Sequence, residues 1–336
     1  MLARPRRNRK SKVVRALVRE TTLSVAHLVQ PLFVHEHEAK ESIESLPGLY
    51  RHTSETCLDE IQRCMELGIT SFILFPKLSK KTPDGAECYN PEGLIPNLIR
   101  SIKAKFPDCV LFSDIALDPY NSDGHDGLVR QNEIVNDETV EVLCKQALAH
   151  AAAGVDVVAP SDMMDGRIEA IRRALDANGH TNVSIMSYSI KYASSFYGPF
   201  RAALDSEPTN ALDKTSYQMD PANVKEGRRE LQLDAQEGAD ILLVKPAMAY
   251  LDVVRMASEE ASLPIAAYQV SGYYAMVKAA GERGWIDEPS IVWESLLSMR
   301  RAGASLLLTY FARDVAEKLS VESGGPLKRE RVRPSI

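Results

Sequence analysis

The sequence lacks the features of membrane proteins and of disulfide-rich proteins. It contains no run of about 18 consecutive apolar residues, the length that a membrane-spanning helix needs, and no apolar leader follows its first residues. Only five of the 336 residues are cysteines, and no C-x-x-C pair occurs. Neither a disulfide framework nor a zinc ribbon is therefore indicated. We expect a cytoplasmic protein without a membrane partner, in which all five cysteines serve packing.

The glycine motifs of nucleotide-binding proteins are also missing. No G-x-G-x-x-G or G-x-x-x-x-G-K-[ST] pattern follows any apolar run, so dinucleotide and P-loop sites are not supported. With 45% hydrophobic and 26% charged residues, the composition is that of an ordinary globular protein. The length fits one large domain or two small ones.

Acidic residues are absent from the first nineteen positions, which carry eight lysines and arginines. Since the whole chain has a net charge of −6 and this segment +8, the remainder carries −14. The basic arm, residues 1–25, could bind nucleic acid, act as a transit peptide, dock on an acidic neighbouring subunit or simply lie in solvent. It has no aromatic residue on which bases could stack.

Eight short apolar runs recur along the rest of the chain, separated by segments with helical periodicity. The runs are residues 29–34, 71–75, 109–117, 155–160, 183–189, 240–246, 264–271 and 305–312. They are continuous, as in strands buried on both faces of a parallel sheet. The helical segments are residues 57–67, 92–105, 138–153, 167–177, 222–237, 252–261, 275–281 and 290–302.

This alternation, without a composition break, predicts an α/β fold with a single (β/α)8 TIM barrel at residues 26–319. A doubly wound sheet is the alternative. We predict that the charged segment 320–336 is a disordered tail.

Polar residues end most of the apolar runs, and two of them are lysines. Active sites of such barrels lie at the carboxyl ends of the strands, and neighbouring strands are about 4.8 Å apart. Lys191 and Lys245 end successive runs, so repulsion and partial burial should leave one amine neutral near pH 7. This pattern predicts Schiff-base chemistry on a carbonyl substrate. Alternatively, each lysine pairs with a carboxylate such as Asp114 or Asp162.

The segment 196–221 is longer than an ordinary loop and has little apolar periodicity, which is typical of an active-site lid. Within it, Arg201 and Lys214 are candidate clamps for a substrate carboxylate. Taken alone, each residue type at such a position is more often a solvated surface charge.

Potential metal ligands crowd the segment after the third run, where the three carboxylates of Asp118, Asp123 and Asp126 lie with His125 within nine residues. Such a set suits magnesium rather than zinc, although the same residue types also build plain turns. The acidic spacing of an EF-hand is missing. The pattern His-Glu-His-Glu at residues 35–38 is followed by no partner cluster, and we interpret it as an exposed loop.

Seven collinear strings resemble the porphobilinogen synthase family, also called δ-aminolevulinate dehydratase. They are SDIALDPYNSDGHDG, APSDMMDGRI, SYSIKYASSFYGPFR, YQMDPAN, DILLVKPAMAYLDVVR, QVSGYYAM and LLLTYFA, and the match extends from Arg4 to about Lys318. The resemblance implies a (β/α)8 barrel with an N-terminal arm that wraps a neighbouring subunit. It also implies a lyase that condenses two molecules of 5-aminolevulinate to porphobilinogen in tetrapyrrole biosynthesis.

The resemblance also implies roles for individual residues. Lys245 matches the principal Schiff-base lysine and Lys191 the second one. The carboxylate of one substrate is held by Arg201 and Lys214, with Gln218 nearby, and that of the other by Ser271 and Tyr310. Polar groups around the reacting amine match Asp114, Ser161 and Asp162, and Tyr197 and Tyr268 line the pocket.

The family divides by what fills the loop after the third strand. Zinc members place three cysteines there, whereas this chain has Ala116, Asp118 and Asp126. The resemblance thus implies the aspartate-rich, magnesium-responsive branch, with no zinc and no organic cofactor. Glu230 corresponds to the residue that holds an allosteric Mg²⁺ between subunits, and Asp118 and Asp126 are candidate ligands of an active-site Mg²⁺.

By the same resemblance, the partners are 5-aminolevulinate and further copies of the chain, in an octamer of arm-exchanged dimers. Subunit docking is then favoured over nucleic acid for the arm, and a plastid is the alternative location. Five residues depart from the family pattern: Asp123, Ile190, Ala247, Ala249 and Tyr273. Two other functions are weighed, a class I aldolase with one Schiff-base lysine and a catalytically silent barrel kept for assembly.

Overall fold

Eight parallel strands close into a barrel in the computed structural model, which describes residues 1–209 and 212–322. They are β1 (Leu28–His35), β2 (Ser71–Lys77), β3 (Val110–Ile115), β4 (Val157–Pro160), β5 (Ser184–Lys191), β6 (Ile241–Lys245), β7 (Ile265–Gln269) and β8 (Leu306–Thr309). Each strand pairs with its sequence neighbour, and β8 pairs with β1, which closes the sheet. The predicted (β/α)8 barrel is confirmed.

The described residues form eleven α-helices, most of which cover the outside of the barrel. They are α1 (Lys12–Leu17), α2 (Ser54–Glu66), α3 (Leu94–Lys105), α4 (Asp137–Ala152), α5 (Arg167–Ala177), α6 (Gly198–Leu204), α7 (Lys225–Gln236), α8 (Leu251–Glu260), α9 (Ser271–Glu282), α10 (Glu288–Ala302) and α11 (Ala312–Glu322). In α3, for example, Ile95, Leu98, Ile99 and Ile102 form one buried stripe at helical spacing. Within residues 1–209 and 212–322, no helix is long and apolar enough to cross a membrane.

The ends of α10 follow from local chemistry. Asp287 precedes the helix, and its side chain accepts a hydrogen bond from the backbone N–H of Ser290 at 3.2 Å. Gly303 follows the helix with a φ of 115°, a left-handed conformation that glycine adopts without a steric penalty. Both ends agree with the signals in the sequence.

Two helices near the carboxyl terminus differ from the sequence-based expectation. Helix α9 begins at Ser271, four residues before the predicted segment 275–281. Helix α11 was not predicted, because the last apolar run was extended through residue 312. It continues to Glu322 and so enters the segment predicted to be a tail. The rest of that segment, residues 323–336, lies outside the described residues.

The basic arm makes a short 3-10 helix at Pro5–Arg9 and then α1, and neither contains a buried residue. Leu2, Val13 and Leu17 are 95%, 78% and 83% exposed. The arm therefore leaves apolar side chains uncovered by its own chain.

Strand β5 contains a bulge that controls which side chains face the barrel interior. Ser187 pairs with Leu242 and Ile190 with Val244, so three steps along β5 oppose two along β6. One extra residue in a strand reverses the alternation of its side chains. Tyr188 and Lys191 can therefore both point inward, and the lysine meets its partner on β6.

The sequence predicts an exposed loop at residues 35–38, but only part of this segment is exposed. His35 is the last residue of β1 and only 2% exposed, whereas His37 is exposed. Two short strands follow, Glu41–Ser42 and Tyr50–His52, and Arg51 lies beside Phe33 of β1. The prediction was wrong for His35 because β1 extends far enough to bury its final histidine.

The five cysteines lie in or near the core. Cys57, Cys64, Cys88 and Cys109 are buried, and Cys144 is half-buried. Burial raises the pKa of every one of these thiols, that of Cys64 to about 12. They behave as the packing residues that the sequence indicated.

Candidate active site

Lys191 and Lys245 lie side by side at the carboxyl end of the barrel, as direct register partners on β5 and β6. A cavity between them is lined by Phe75, Asp114, Asp118, Asp126, Ser161, Lys191, Tyr197, Phe200, Arg201, Lys214, Gln218 and Lys245. The fold thus brings ten of the predicted site residues to one place. Tyr268, Ser271 and Tyr310 lie just behind this lining, while Asp162 and Glu230 lie elsewhere.

Asp126 is the centre of the polar half of the site. Its Oδ2 is 3.1 Å from Lys191 Nζ and accepts a hydrogen bond from Gln218 Nε2 at 3.2 Å, and its Oδ1 is 3.0 Å from Lys214 Nζ. Burial alone would raise the pKa of this carboxyl group, but Lys191 and Lys214 outweigh it and hold the pKa below its ordinary value. Asp126 is therefore ionised and gathers two ammonium groups around itself.

The loop that carries Asp126 has its conformation fixed by close contacts. Gly124 has a φ of 74°, and a Cβ at this position would lie 2.4 Å from the backbone oxygen of Glu207. The hydroxyl of Tyr217 accepts a hydrogen bond from the Asp126 backbone N–H at 3.2 Å. Only glycine can approach the lid so closely here, which places Asp126 beneath it.

Lys245 lies in the aromatic half of the site. Its Nζ is 4.8 Å from the ring centre of Phe200, 5.0 Å from that of Tyr197, and 5.2 Å from those of Tyr188 and Tyr268. Within the described parts of the chain, no carboxylate pairs with this amine at 4 Å or less. Burial, assisted by the charge of Lys191, lowers the pKa of Lys245 to about 7.

Two further acidic groups, Asp114 and Asp118, line the same cavity as the two lysines. Burial raises the pKa of Asp114 to about 7, and the negative charge of Asp118 adds to the effect. The pKa of Asp118 is also raised, first by burial and then by Asp126, although Lys214 at 3.9 Å opposes this. A buried carboxyl group that titrates near neutral pH can both donate and accept a proton.

Ser161 and Asp162 follow β4 but face different ways. The carbonyl oxygen of Ser161 accepts a hydrogen bond from Lys191 Nζ. Asp162 accepts one from the backbone N–H of Met164 at 2.7 Å and lies 3.8 Å from Arg167 Nε. Burial raises its pKa to about 6 even though Arg167 opposes the shift. Asp162 is thus directed toward α5 rather than into the cavity.

The predicted lid is a structured cover built from α6 and two 3-10 turns, Ser195–Tyr197 and Lys214–Ser216. Phe200 donates its backbone N–H to Ser271 Oγ at 3.0 Å, which ties α6 to the start of α9. Gly272 permits this contact, since a Cβ there would lie 2.5 Å from the backbone oxygen of Phe196. Arg201 reaches the cavity from α6, with Glu207 3.8 Å away.

Three tyrosines of the predicted set form the wall behind Lys245. The hydroxyls of Tyr268 and Tyr310 are 3.0 Å apart, and the hydroxyl of Tyr197 donates to the backbone oxygen of Lys245 at 3.1 Å. Ser271 and Tyr310 therefore lie on the Lys245 side of the site. Arg201, Lys214 and Gln218 lie on the Lys191 side.

Sequence reasoning missed Phe75, Tyr188 and Phe200, which complete the aromatic half. Phe75 and Phe200 pack edge to face, with ring centres 5.1 Å apart. Each residue is part of an apolar run or of the lid, where an aromatic side chain carries no special signal. Only the bulge in β5 directs Tyr188 inward.

The departures from the family pattern lie mostly outside the cavity. Ile190 is fully buried, and its methyl groups face Gly227 of α7. Ala249 and Tyr273 line a separate apolar groove behind the barrel mouth. These three substitutions therefore do not contact the two amines.

Glu230 is half-buried on α7, away from the strand ends. It lines a cleft with Asp165 and Glu226. Burial raises its pKa to about 7, and the charges of Asp234, Asp165 and Glu226 add to the effect while Arg167 opposes it. Such an accumulation of carboxylates is an environment that a hard cation would relieve.

Comparison with known proteins agrees with this geometry. The sequence pattern of the family "Delta-aminolevulinic acid dehydratase" matches residues 2–318. The chloroplastic delta-aminolevulinic acid dehydratases of Physcomitrium patens and Oryza sativa subsp. japonica are 56% and 57% identical, over 96% and 94% of this chain and 75% of each relative.

A solved structure is similar over nearly the whole chain. It is the delta-aminolevulinic acid dehydratase (porphobilinogen synthase) of Toxoplasma gondii ME49 in complex with its reaction product porphobilinogen, with a TM-score of 0.95 and 50% identity. The similarity covers 98% of this chain and 95% of that one. By the extent of these matches, the present chain belongs to the delta-aminolevulinic acid dehydratase family.

Proposed function

We propose that this chain is a lyase that condenses two molecules of 5-aminolevulinate to porphobilinogen, with Lys245 and Lys191 as the two imine-forming amines. New C–C and C–N bonds close the pyrrole ring, and two molecules of water leave. The observation that carries the proposal is the register pairing of the two lysines, together with the depressed pKa of one of them. A class I aldolase needs only one such lysine, and the family membership argues against both that alternative and a silent barrel.

Lys245 begins the reaction because its pKa of about 7 leaves about half of the amine neutral at neutral pH. Its amine attacks the ketone carbon of the first substrate and the carbonyl oxygen leaves as water, which forms an imine. The surrounding rings exclude bulk water from this bond. Lys191, held by Asp126 and the Ser161 carbonyl, receives the second substrate after giving up its proton.

Asp114 is suited to move the protons. It lines the same cavity as both lysines, and its pKa of about 7 lets it act as acid in one step and as base in the next. Within the described chain, its Oδ1 has no hydrogen-bond partner. We therefore propose that this oxygen is free to meet a substrate group.

The two substrate carboxylates are held on opposite sides. On the Lys191 side, Arg201, Lys214 and Gln218 provide a bidentate guanidinium, an ammonium and an amide. On the Lys245 side, the hydroxyls of Ser271 and Tyr310 donate. In the present arrangement the Ser271 hydroxyl donates to the backbone oxygen of Phe196, and the Tyr310 hydroxyl is hydrogen-bonded to that of Tyr268. These hydroxyls therefore exchange partners when substrate enters.

The lid must open for substrate to reach this site. The free volume between the lining residues is about 20 Å³, which is room for one water molecule. Two substrate molecules need far more. The cover formed by α6 and the 3-10 turns is the element that can move away, because the other walls are barrel strands.

For magnesium, Glu230 and the neighbouring Asp165 and Glu226 offer the oxygen donors that this ion prefers. We propose that Glu230 holds an allosteric Mg²⁺, which would neutralise the carboxylates and stabilise subunit contacts. Asp118 and Asp126 fit an ion less well, since lysine ammonium groups already occupy the space beside them. No catalytic step is assigned to a metal there.

We further propose that the arm docks on another copy of the chain in an octamer of arm-exchanged dimers. Its exposed apolar side chains and its positive charge, opposite an acidic body, support this arrangement. The relatives named above are chloroplastic, which favours a plastid over the cytoplasm as the location of this protein.

The reaction is tested by incubating purified protein with 5-aminolevulinate and detecting the pyrrole colorimetrically. We expect the wild type and the surface control Lys225→Met to form porphobilinogen, and Lys245→Met to form none. Absence of pyrrole in the wild type at every magnesium concentration would contradict the proposed reaction.

The allosteric site is tested by measuring activity and sedimentation across a magnesium titration. Magnesium bound only in the larger assembly favours that assembly by mass action. Glu230→Gln should lower both activity and particle size, whereas Glu259→Gln on the exposed face of α8 should lower neither. A wild type whose size and rate ignore magnesium would contradict this assignment.

A further inference from the structure

Three potential metal ligands converge beside the barrel mouth, outside the two-lysine cavity. They are His35 at the end of β1, His37 two residues later, and Glu41 on the short strand Glu41–Ser42. One donor atom from each lies within 4.8 Å of the other two. His37 Nδ1 is 2.6 Å from Glu41 Oε1, and His35 Nδ1 is 3.7 Å from Glu41 Oε2.

His35 is the member of the cluster whose buried ring nitrogens are not satisfied by hydrogen bonds. The residue is 2% exposed, and within the described residues neither of its ring nitrogens has a hydrogen-bond partner. Buried polar atoms are nearly always paired in folded proteins. Its ring lies 4.9 Å from that of His37, centre to centre, and Nδ1 faces Glu41 across a gap too long for a hydrogen bond.

Neighbouring side chains orient the other two ligands, His37 and Glu41. Ser79 Oγ lies 3.1 Å from Nε2 of His37, which leaves Nδ1 directed at the cluster. Arg51 Nη1 lies 3.5 Å from Glu41 Oε2, and Nη2 of the same side chain donates to the backbone oxygen of Ala202. Hydrogen bonds of this kind orient the ligands in protein metal sites.

The charges that face His35 come from three elements. Glu41 is the anion, Arg51 belongs to the strand Tyr50–His52, and Lys77 is the register partner of His35 on β2. Arg51 is engaged by the carbonyl oxygens of Ala202 and Ala203. It can therefore keep its bonds to α6 if Glu41 turns toward a metal ion.

We propose that His35, His37 and Glu41 form a binding site for a divalent transition metal of the zinc type. Two imidazoles and one carboxylate are a donor set that binds zinc and leaves a fourth position open for water or another ligand. Magnesium prefers an all-oxygen set, so this site is chemically distinct from the one around Glu230. One of the two unpaired nitrogens of the buried His35 is then explained, because it is the metal ligand.

The proposal is tested with Co²⁺, whose visible absorption reports tetrahedral coordination. Metal-depleted protein is titrated in excess Mg²⁺, which occupies the all-oxygen sites, and without substrate. We expect one tetrahedral Co²⁺ per chain in the wild type, and its displacement by Zn²⁺. Because no turnover is measured, the result is independent of the proposed reaction.

Variants locate the ion. His37→Ala and Glu41→Gln should abolish the tetrahedral bands, and Ser79→Ala should weaken binding by about tenfold. The matched controls are His180→Ala, which changes a distant histidine, and Glu38→Gln, which changes an exposed acid beside the cluster that is not one of its ligands. Both should bind as the wild type does. Circular dichroism establishes that each variant is folded. The proposal would be overturned if the wild type showed no tetrahedral bands at saturating Co²⁺. It would also be overturned if His37→Ala and Glu41→Gln bound Co²⁺ as tightly as the wild type does.

Discussion

Lys191 and Lys245 occupy equivalent positions on neighbouring strands, yet their surroundings are opposite. Lys191 is ion-paired with Asp126 at 3.1 Å and donates to a backbone carbonyl. Lys245 is enclosed by four aromatic rings, the nearest ring centre 4.8 Å from its amine, and its pKa falls to about 7. The reactivity of a lysine is therefore set by its neighbours, since the strand position and the side chain are the same.

The comparison also shows how each half depends on the other. An ammonium at Lys191 repels a proton from Lys245, so the polar half helps to keep the aromatic half neutral. Asp126 in turn keeps Lys191 and Lys214 in place. Each of the following predictions tests one contribution to the difference between the polar and the aromatic half.

The largest effect is expected from removing either amine. Lys245→Met and Lys191→Met should each abolish pyrrole formation, because each imine has its own lysine. Borohydride added with 5-aminolevulinate should trap an adduct on Lys245 in the wild type and in Lys191→Met, as mapped by mass spectrometry. A label on neither lysine would rule out the imine mechanism.

The next effect is expected from Asp126→Asn, which leaves two buried ammonium groups without their carboxylate. Breaking a buried ion pair costs about 3–5 kcal/mol of unfolding free energy, measured by denaturant titration near pH 7. The pKa of Asp126 is depressed in the fold, so its stabilising contribution exists above about pH 4 and is lost as the pH falls. Asp123→Asn in the same loop is the control, and equal stability of both variants would contradict the central role of Asp126.

A smaller effect is expected from the carboxylate clamps. Arg201→Ala and Ser271→Ala each remove a hydrogen bond to a charged group, which is worth about 1.5–3 kcal/mol. We expect this loss mainly as a higher KM, with Arg173→Ala on the exposed face of α5 as the control. An unchanged KM in both variants would exclude these residues as clamps.

The smallest effect is the response to pH. A lysine with a pKa of about 7 is roughly one-tenth neutral at pH 6 and nine-tenths neutral at pH 8, so adduct formation should rise about tenfold over this range. Its pKa in the fold is below the unfolded value, so its contribution to stability falls as the pH drops from about 10.5 to 7 and is constant below that. A rate of adduct formation independent of pH between 6 and 8 would contradict a pKa near 7 for the Lys245 amine.

The sequence predicts the barrel and the two lysines because both depend on local patterns. Continuous apolar runs indicate strands buried on both faces, and the residue after such a run lies at the carboxyl end of the barrel. Helix α11 was within reach of the same reasoning. Ala312, Val315, Ala316 and Leu319 have helical spacing, but residue 312 was assigned to the preceding strand.

The aromatic enclosure of Lys245 could not be predicted in this way. Phe75, Tyr188 and Phe200 come from β2, β5 and α6, and nothing in the sequence separates them from ordinary core residues. The inward direction of Tyr188 depends on the bulge in β5. The donors around Asp126 likewise come from β5 and from the lid, which meet the loop of Asp126 only in the folded protein.

Four of the five cysteines are buried and Cys144 is half-buried. This burial determines how fast the thiols of the folded protein react with oxidants. The thiolate is the form that peroxides and alkylating reagents attack, and a raised pKa leaves very little thiolate at neutral pH. Slow loss of free thiol from the four buried cysteines therefore counts molecules that have opened, not folded molecules that have been damaged. The fraction of these thiols that has been lost therefore measures how often the folded protein has opened.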